Sequence, residues 1–241
     1  MPRRLASFDL RPGDRIGDSY RVEALLGRGT EGEVYRVRDR NTGIPRAAKL
    51  HFPHADPKRR LTARHAQKME RLRACPIALQ VHHSERVRVG DVEVVALVSE
   101  LCEGEPLSDW LERQRGGRVE PFLALCILRD LAVGLEQIHA AGEYHADVHT
   151  ANVLIRRYGV TFRLKLIDFW DWGRPSKAKQ QQDVRDAVSV LHDLIGGRRY
   201  YAAAPPEVKR ICAGLRRGLI LKRFPTMSAL RRHLESFEWP G

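Results

Sequence analysis

The polar octapeptide His145-Ala146-Asp147-Val148-His149-Thr150-Ala151-Asn152 lies between a long apolar helical pattern and the apolar run Leu164-Lys165-Leu166-Ile167, which delivers Asp168-Phe169 sixteen residues after Asn152. A chain with this feature must end a helix, make a tight loop and follow it with a strand that brings a second Asp back. An Asp and an Asn five apart on one loop, with another Asp at a strand end, can share one chemistry. In it Asp147 orients and deprotonates an acceptor hydroxyl, while Asn152 and Asp168 hold a Mg²⁺ that bridges nucleotide phosphates. A polar turn between a helix and two strands would carry the same residues, and the upstream segments bear on which reading holds.

Leu26-Gly27-Arg28-Gly29-Thr30-Glu31-Gly32-Glu33-Val34-Tyr35 puts Gly27, Gly29 and Gly32 in G-x-G-x-x-G spacing. Glycines so spaced also make hairpin turns and dinucleotide loops. Here Val34, Tyr35 and Val37 continue as a strand rather than opening a helix, which suits a strand-turn-strand flap over phosphates. Fifteen residues beyond Val34, Ala47-Ala48-Lys49-Leu50 reads as a third strand with a lysine among apolar neighbours; alone, Lys49 reads as a surface lysine. Residues 57–74 favour a helix, with Pro57 near its start, Cys75-Pro76 at its end and Leu61, His65, Met69 and Leu72 as one stripe. Glu70, at the edge of that stripe, is expected to face the sheet. It can then hold Lys49 by an ion pair so that the ammonium points at the α- and β-phosphates, or it is a solvated helix residue.

Taken in order, these residues resemble the protein kinase superfamily, specifically bacterial Ser/Thr kinases of eukaryotic type. Further segments carry the likeness. Arg11 to Ile16 with Tyr20-Arg21-Val22 looks like the lead-in to the glycine-rich loop, Leu97 to Leu107 like the strand and hinge, Asp183-Val184 with Leu191 like the buried helix under the catalytic loop, and Arg223-Phe224-Pro225-Thr226 before Leu230 and Leu234 like the closing helix. The resemblance implies an α+β bilobal fold spanning 1–241 as one domain: an antiparallel-sheet N-lobe with one helix (1–100), a hinge (101–106) and a mainly helical C-lobe (107–241). It implies ATP and Mg²⁺, with Asp147, Lys49 and Asn152 catalytic and Asn152 and Asp168 on the metal. Gly27, Gly29 and Gly32 would cover the phosphates. Backbone groups of Glu100 and Cys102 would bind adenine, Val34, Ala47 and Leu154 would clamp the ring, Glu70 would hold Lys49, and Asp183 would anchor the catalytic loop.

Four departures open alternatives. Ala146 stands where the family has an arginine before the catalytic Asp, so a phosphate on an activation loop has no arginine there to receive it. His149 stands where Ser/Thr kinases generally have lysine, a pattern similar to aminoglycoside and choline kinases, which leaves a small-molecule hydroxyl as a competing acceptor. Only fifteen positions separate Asp168 from Asp183, with Ser176 the only hydroxyl between them, and Trp170 replaces the glycine expected after Asp168-Phe169. That substitution keeps a pseudokinase or nucleotide-binding interaction module in view. It also suggests a segment held near one state, with Trp170 and Trp172 packing it down.

The bulk properties set outer limits. A chain of 241 residues with 43% hydrophobic content can bury the core of one two-lobed domain. Cys75, Cys102, Cys126 and Cys212 show no C-x-x-C pairing or metal-ligand spacing, so free thiols in a reducing cytoplasm are expected. Met1-Pro2-Arg3-Arg4-Leu5 lacks an apolar signal region, and no run approaches the ~20 apolar residues of a membrane span, which makes the expected location cytoplasmic. The net charge of +12 is distributed over scattered basic clusters such as Lys58-Arg59-Arg60, Arg156-Arg157 and Arg216-Arg217. Solvated helix faces account for most of these. No aromatic-interleaved motif favours nucleic acid as partner; the acceptor and oligomeric state are not legible.

Overall fold

The computed structural model describes residues 5–55, 60–169 and 173–239. The chain divides into two compact units, Met1–Glu70 with Leu79–Cys102, and Arg71–Ala78 with Glu103–Gly241. The stretch 71–78, which the sequence reading places in the first lobe, therefore belongs with the second unit.

The first unit is built on a six-stranded sheet: β1 (Arg15–Ile16), β2 (Tyr20–Arg28), β3 (Gly32–Asp39), β4 (Pro45–His51), β5 (Val81–Val89) and β6 (Val92–Glu100), in the order β1-β2-β3-β4-β6-β5. Every neighbouring pair is antiparallel. Side chains on a strand alternate between faces, so the sequence alternation of Tyr20, Val22, Tyr35 and Val37 buries one face. Ile16, Ala48, Leu50, Val87, Val94, Ala96 and Val98 complete that core, and Phe8 and Leu10 pack against it from the segment before β1. β5 and β6 form a hairpin that turns at Gly90-Asp91.

The helix of this region is α1 (Arg60–Arg71); Pro57 lies outside the described residues. Its buried positions are Thr62, Lys68 and Met69, followed by Leu72. Glu70 is exposed.

The second unit contains the three-stranded sheet β7 (Glu105–Pro106), β8 (Val153–Tyr158) and β9 (Thr161–Leu166), and the helices α2 (Leu107–Glu112), α3 (Pro121–Ala140), α4 (Lys177–Leu194), α5 (Gly197–Tyr201), α6 (Pro206–Cys212), α7 (Arg217–Arg223) and α8 (Met227–Leu234). Proline at the first position of α3 removes an amide that would lack a partner there. Leu125, Leu128, Leu131, Leu135 and Ile138 are buried as their spacing predicts, but Phe122 is 56% exposed, its ring leaning on Trp239 at 5.9 Å between centroids. A first-turn position has no preceding turn to pack on. Thr226 caps α8 by accepting from the Ala229 amide at 3.2 Å.

Candidate functional site

Within the second unit the loop His145–Asn152 is held from below by α4. Asp183, with no exposed surface, accepts from the amides of His145 (2.9 Å) and Ala146 (2.5 Å) and pairs with His139 Nε2 at 2.8 Å. A carboxylate taken wholly out of water needs such partners. The bonds also hold a strained turn: Ala146 sits at φ +65°, a left-handed conformation costing an L-residue about 1–2 kcal/mol.

His145 is fully buried and its hydrogen bonds define its tautomer. Nδ1 accepts from the Asp147 amide at 3.3 Å, so Nε2 carries the proton it donates to the Ile167 carbonyl at 2.9 Å. The loop is thereby tied to the chain entering Asp168. A second tie runs from the Ile167 amide to the Asn152 carbonyl at 3.0 Å.

On top of this base, Asn152 Nδ2 donates to the Asp147 carbonyl at 3.0 Å and to Asp147 Oδ2 at 3.3 Å. Asn152 is buried while the Asp147 side chain is half-exposed. His149 Nδ1 accepts from the Ala151 amide at 3.3 Å, which leaves the proton on Nε2, 3.7 Å from Asp147 Oδ2. Asp168 stands at φ +56° directly after Ile167. Leu154, half-buried in β8, pairs with Pro106 and Lys165.

The first unit carries the other candidates. Gly29 lies in the β2-β3 hairpin turn, with Gly27 near the end of β2 and Gly32 opening β3, and the turn is closed by Gly29 donating to the Gly32 carbonyl at 2.9 Å. At Gly32 the reason for glycine is space, since a Cβ would stand 2.0 Å from the Leu50 carbonyl oxygen. Val34 pairs directly with Lys49, which lies between the buried Ala48 and Leu50, and Ala47 is buried on the same strand. The Glu100 amide donates to the Gln80 carbonyl at 2.9 Å and Glu100 Oε1 accepts from the Gln80 amide at 2.9 Å, so the start of the 100–102 stretch is fixed by β5's lead-in. Cys102 is half-buried and, like Cys75, Cys126 and Cys212, is in no disulfide among the described residues.

The family model described as protein kinase domain matches residues 20–209. The chain belongs to the protein kinase family. This kinase domain is 32% identical over 163 residues to the serine/threonine-protein kinase PkaA of Streptomyces coelicolor, covering 64% of this chain and 30% of that protein. Over 162 residues it is 31% identical to serine/threonine-protein kinase PknA of Mycobacterium tuberculosis, covering 66% of this chain and 36% of that one. The chain thus spans about a third of the length of these relatives. The crystal structure of the Mycobacterium tuberculosis PknI kinase domain superposes with a TM-score of 0.67 at 20% identity, over 94% of this chain and 98% of that one, a likeness of fold.

Mg²⁺ takes hard oxygen ligands and is commonly held by one or two side chains plus substrate phosphates. The kinase domain's donor set fits that chemistry. With Nδ2 of Asn152 turned onto Asp147, the amide oxygen is its remaining donor, and Asp168 adds a carboxylate. No helix among the described residues is long and apolar enough to cross a membrane.

Several side chains that shape the site escaped the sequence reading. His139 interrupts the apolar face of α3, and that lone polar residue was the visible signal of its bond to Asp183. Tyr144, fully buried, donates to the Gly173 carbonyl at 2.7 Å, while Lys179 Nζ reaches the Arg174 carbonyl at 2.6 Å and lies 4.6 Å from the Tyr144 ring centre. Ser176 caps α4 by accepting from the Lys179 amide at 3.4 Å, a structural use of the segment's lone hydroxyl. Trp170 and Trp172 lie outside the described residues. Nearby, burial pushes the Asp186 carboxyl up to about 6; the neighbouring Asp183 adds to the rise, whereas Gln182, Arg185 and the Val148 amide oppose it.

Proposed function

We propose that this domain is an ATP-dependent protein serine/threonine kinase, and we read 1–241 as one such domain with N-lobe 1–100, hinge 101–106 and C-lobe 107–241. The observation that carries the reading is the Asp147–Asn152 pair on the Asp183-braced loop. It supports a carboxylate fixed in direction yet open to an incoming hydroxyl. The Ser/Thr acceptor is drawn from the names of PkaA and PknA, and the match to a protein kinase domain supports a protein acceptor over a small molecule.

In this reading Asp147 orients the acceptor hydroxyl and takes its proton as the oxygen bonds to the γ-phosphorus and the bond to the β-phosphate oxygen breaks, releasing ADP. Asn152 and Asp168 hold Mg²⁺, which when bound neutralises phosphate charge. Lys49, with Glu70 as partner, engages the α- and β-phosphates, and Gly27, Gly29 and Gly32 cover them. Adenine lies against the backbone of Glu100 and Cys102 between Val34, Ala47 and Leu154. A cytoplasmic location completes the proposal.

The test pairs a thermal shift with a transfer assay. ATP with Mg²⁺ should raise the midpoint of the parent and of Asp147→Asn alike, because a ligand of the folded state stabilises it by mass action. Transfer of labelled phosphate to a Ser/Thr protein substrate such as myelin basic protein or casein should fall about 10²–10⁴-fold in Asp147→Asn, the usual contribution of a positioned base. Equal transfer by both proteins would remove Asp147 from the mechanism, and no shift at millimolar nucleotide would end the ATP reading.

A further inference from the structure

Glu33, immediately after the last glycine of the flap, is fully buried in the first unit and collects donors from two directions. From its own hairpin come the Tyr35 hydroxyl to Oε2 and Arg28 Nε to Oε1 at 2.5 Å. From the segment before β1 come the Phe8 amide to Oε2 at 3.0 Å and the Ser7 hydroxyl, whose single hydrogen is shared between Glu33 Oε1 at 2.9 Å and Asp9 Oδ1 at 2.6 Å. Arg28, between Gly27 and Gly29, closes the circuit by donating from a second nitrogen to Ser7 Oγ at 2.6 Å. Burial opposes ionisation of Glu33, and the donors from Tyr35, Phe8, Ser7 and Arg28 overcome it, holding the carboxyl below its usual range.

The flap has reason to need such a tie. Its own ladder is irregular, with register shifts between Val22 and Ala24 and again between Leu25 and Gly27, and bulges interrupt ladder hydrogen bonds. Leu25 and Leu26 are exposed, and a side chain at Gly27 or Gly29 would meet nothing within 4 Å. The leader, in contrast, is well seated. Phe8 packs on Phe52 with ring centres 5.1 Å apart, and the Phe52 amide donates to the Glu31 carbonyl of the turn at 2.7 Å.

We propose that Ser7 and Phe8 latch the glycine-rich flap through Glu33 and Arg28, making Ser7 and Arg28 positioning residues that set how firmly the flap closes on the nucleotide phosphates. The effect on ATP rests on the kinase reading above, whereas the effect on the flap itself does not.

The experiment compares the parent, Ser7→Ala, Arg28→Ala and the double variant by amide hydrogen exchange of residues 27–32 without nucleotide, and by KM for ATP against kcat. Each single change removes hydrogen bonds of modest net worth, so flap exchange should quicken and KM for ATP rise about fivefold while kcat stays within about twofold. In the double variant the effect should fall short of the product of the two, because both residues act through one network. Unchanged flap exchange in Ser7→Ala, or effects that multiply, would overturn the latch. A change in KM from Arg28→Ala alone would assign Arg28 to direct nucleotide contact and overturn it too. Should the parent turn over no ATP, the kinase reading fails and flap exchange still decides the latch.

Discussion

Asp183 and Asp186 lie three residues apart on α4 and solve burial differently. Asp183 meets two amides and His139, so its charge is matched by donors aimed at it. Asp186 receives a Gln182 amide hydrogen at 2.5 Å, but burial dominates and lifts its pKa to about 6. A carboxyl whose folded pKa lies above its unfolded value of 3.8 stabilises the fold fully below that value, and the contribution is lost as pH rises through about 6. Asp186→Asn, which keeps an acceptor and cannot ionise, should therefore gain in melting temperature relative to the parent as pH rises from 4 to 8. A difference that stays constant over that range would mean that Asp186 ionises alike in the folded and unfolded chain.

At the scale of an element, α3 shows how a local rule is reversed by its surroundings. Glycine within a helix ordinarily costs about 1 kcal/mol relative to alanine, so Gly134→Ala should stabilise a twenty-residue helix. Here a Cβ at position 134 would stand 2.3 Å from Ile77 Cδ1 and 2.8 Å from its Cβ. The contact sits close to Ile77's own backbone, which is in turn fixed by its carbonyl accepting from the Leu166 amide at 2.7 Å. Overpacking of this kind costs about 1–3 kcal/mol. Gly134→Ala should then lower stability in urea unfolding, and a gain would show that the 71–78 segment yields easily. The sequence shows the helix and its stop at Ala141-Gly142 by period alone; it carries no sign that residue 77 is the one Gly134 admits.

For the whole molecule, the passage of the chain into the second unit is pinned at its first residue, where Arg71 Nε meets Glu143 Oε1 at 2.6 Å. Glu143 is buried while half of Arg71 is exposed, so solvent screens part of the pair. Arg71→Ala should cost about 1–2 kcal/mol, chiefly by stranding the carboxylate; a loss within a few tenths would make the pair ornamental to stability. What the sequence by itself determined is what short-range physics writes into order and period. The alternation in β2, β3, β5 and β6, the 3.6-residue apolar repeat of α3 and the glycine turn that continues as a strand each depend on neighbours a few residues away. The order of Gly27, Lys49, Asp147, Asn152 and Asp168 made the family resemblance visible for the same reason. Only the tertiary structure decided that Glu70 is exposed, that Phe122 packs on Trp239, that residues 71–78 leave the first unit, and that Glu33 joins Ser7 to Arg28. These depend on chain brought from far along the sequence, and periodicity says which face is apolar without saying what will cover it.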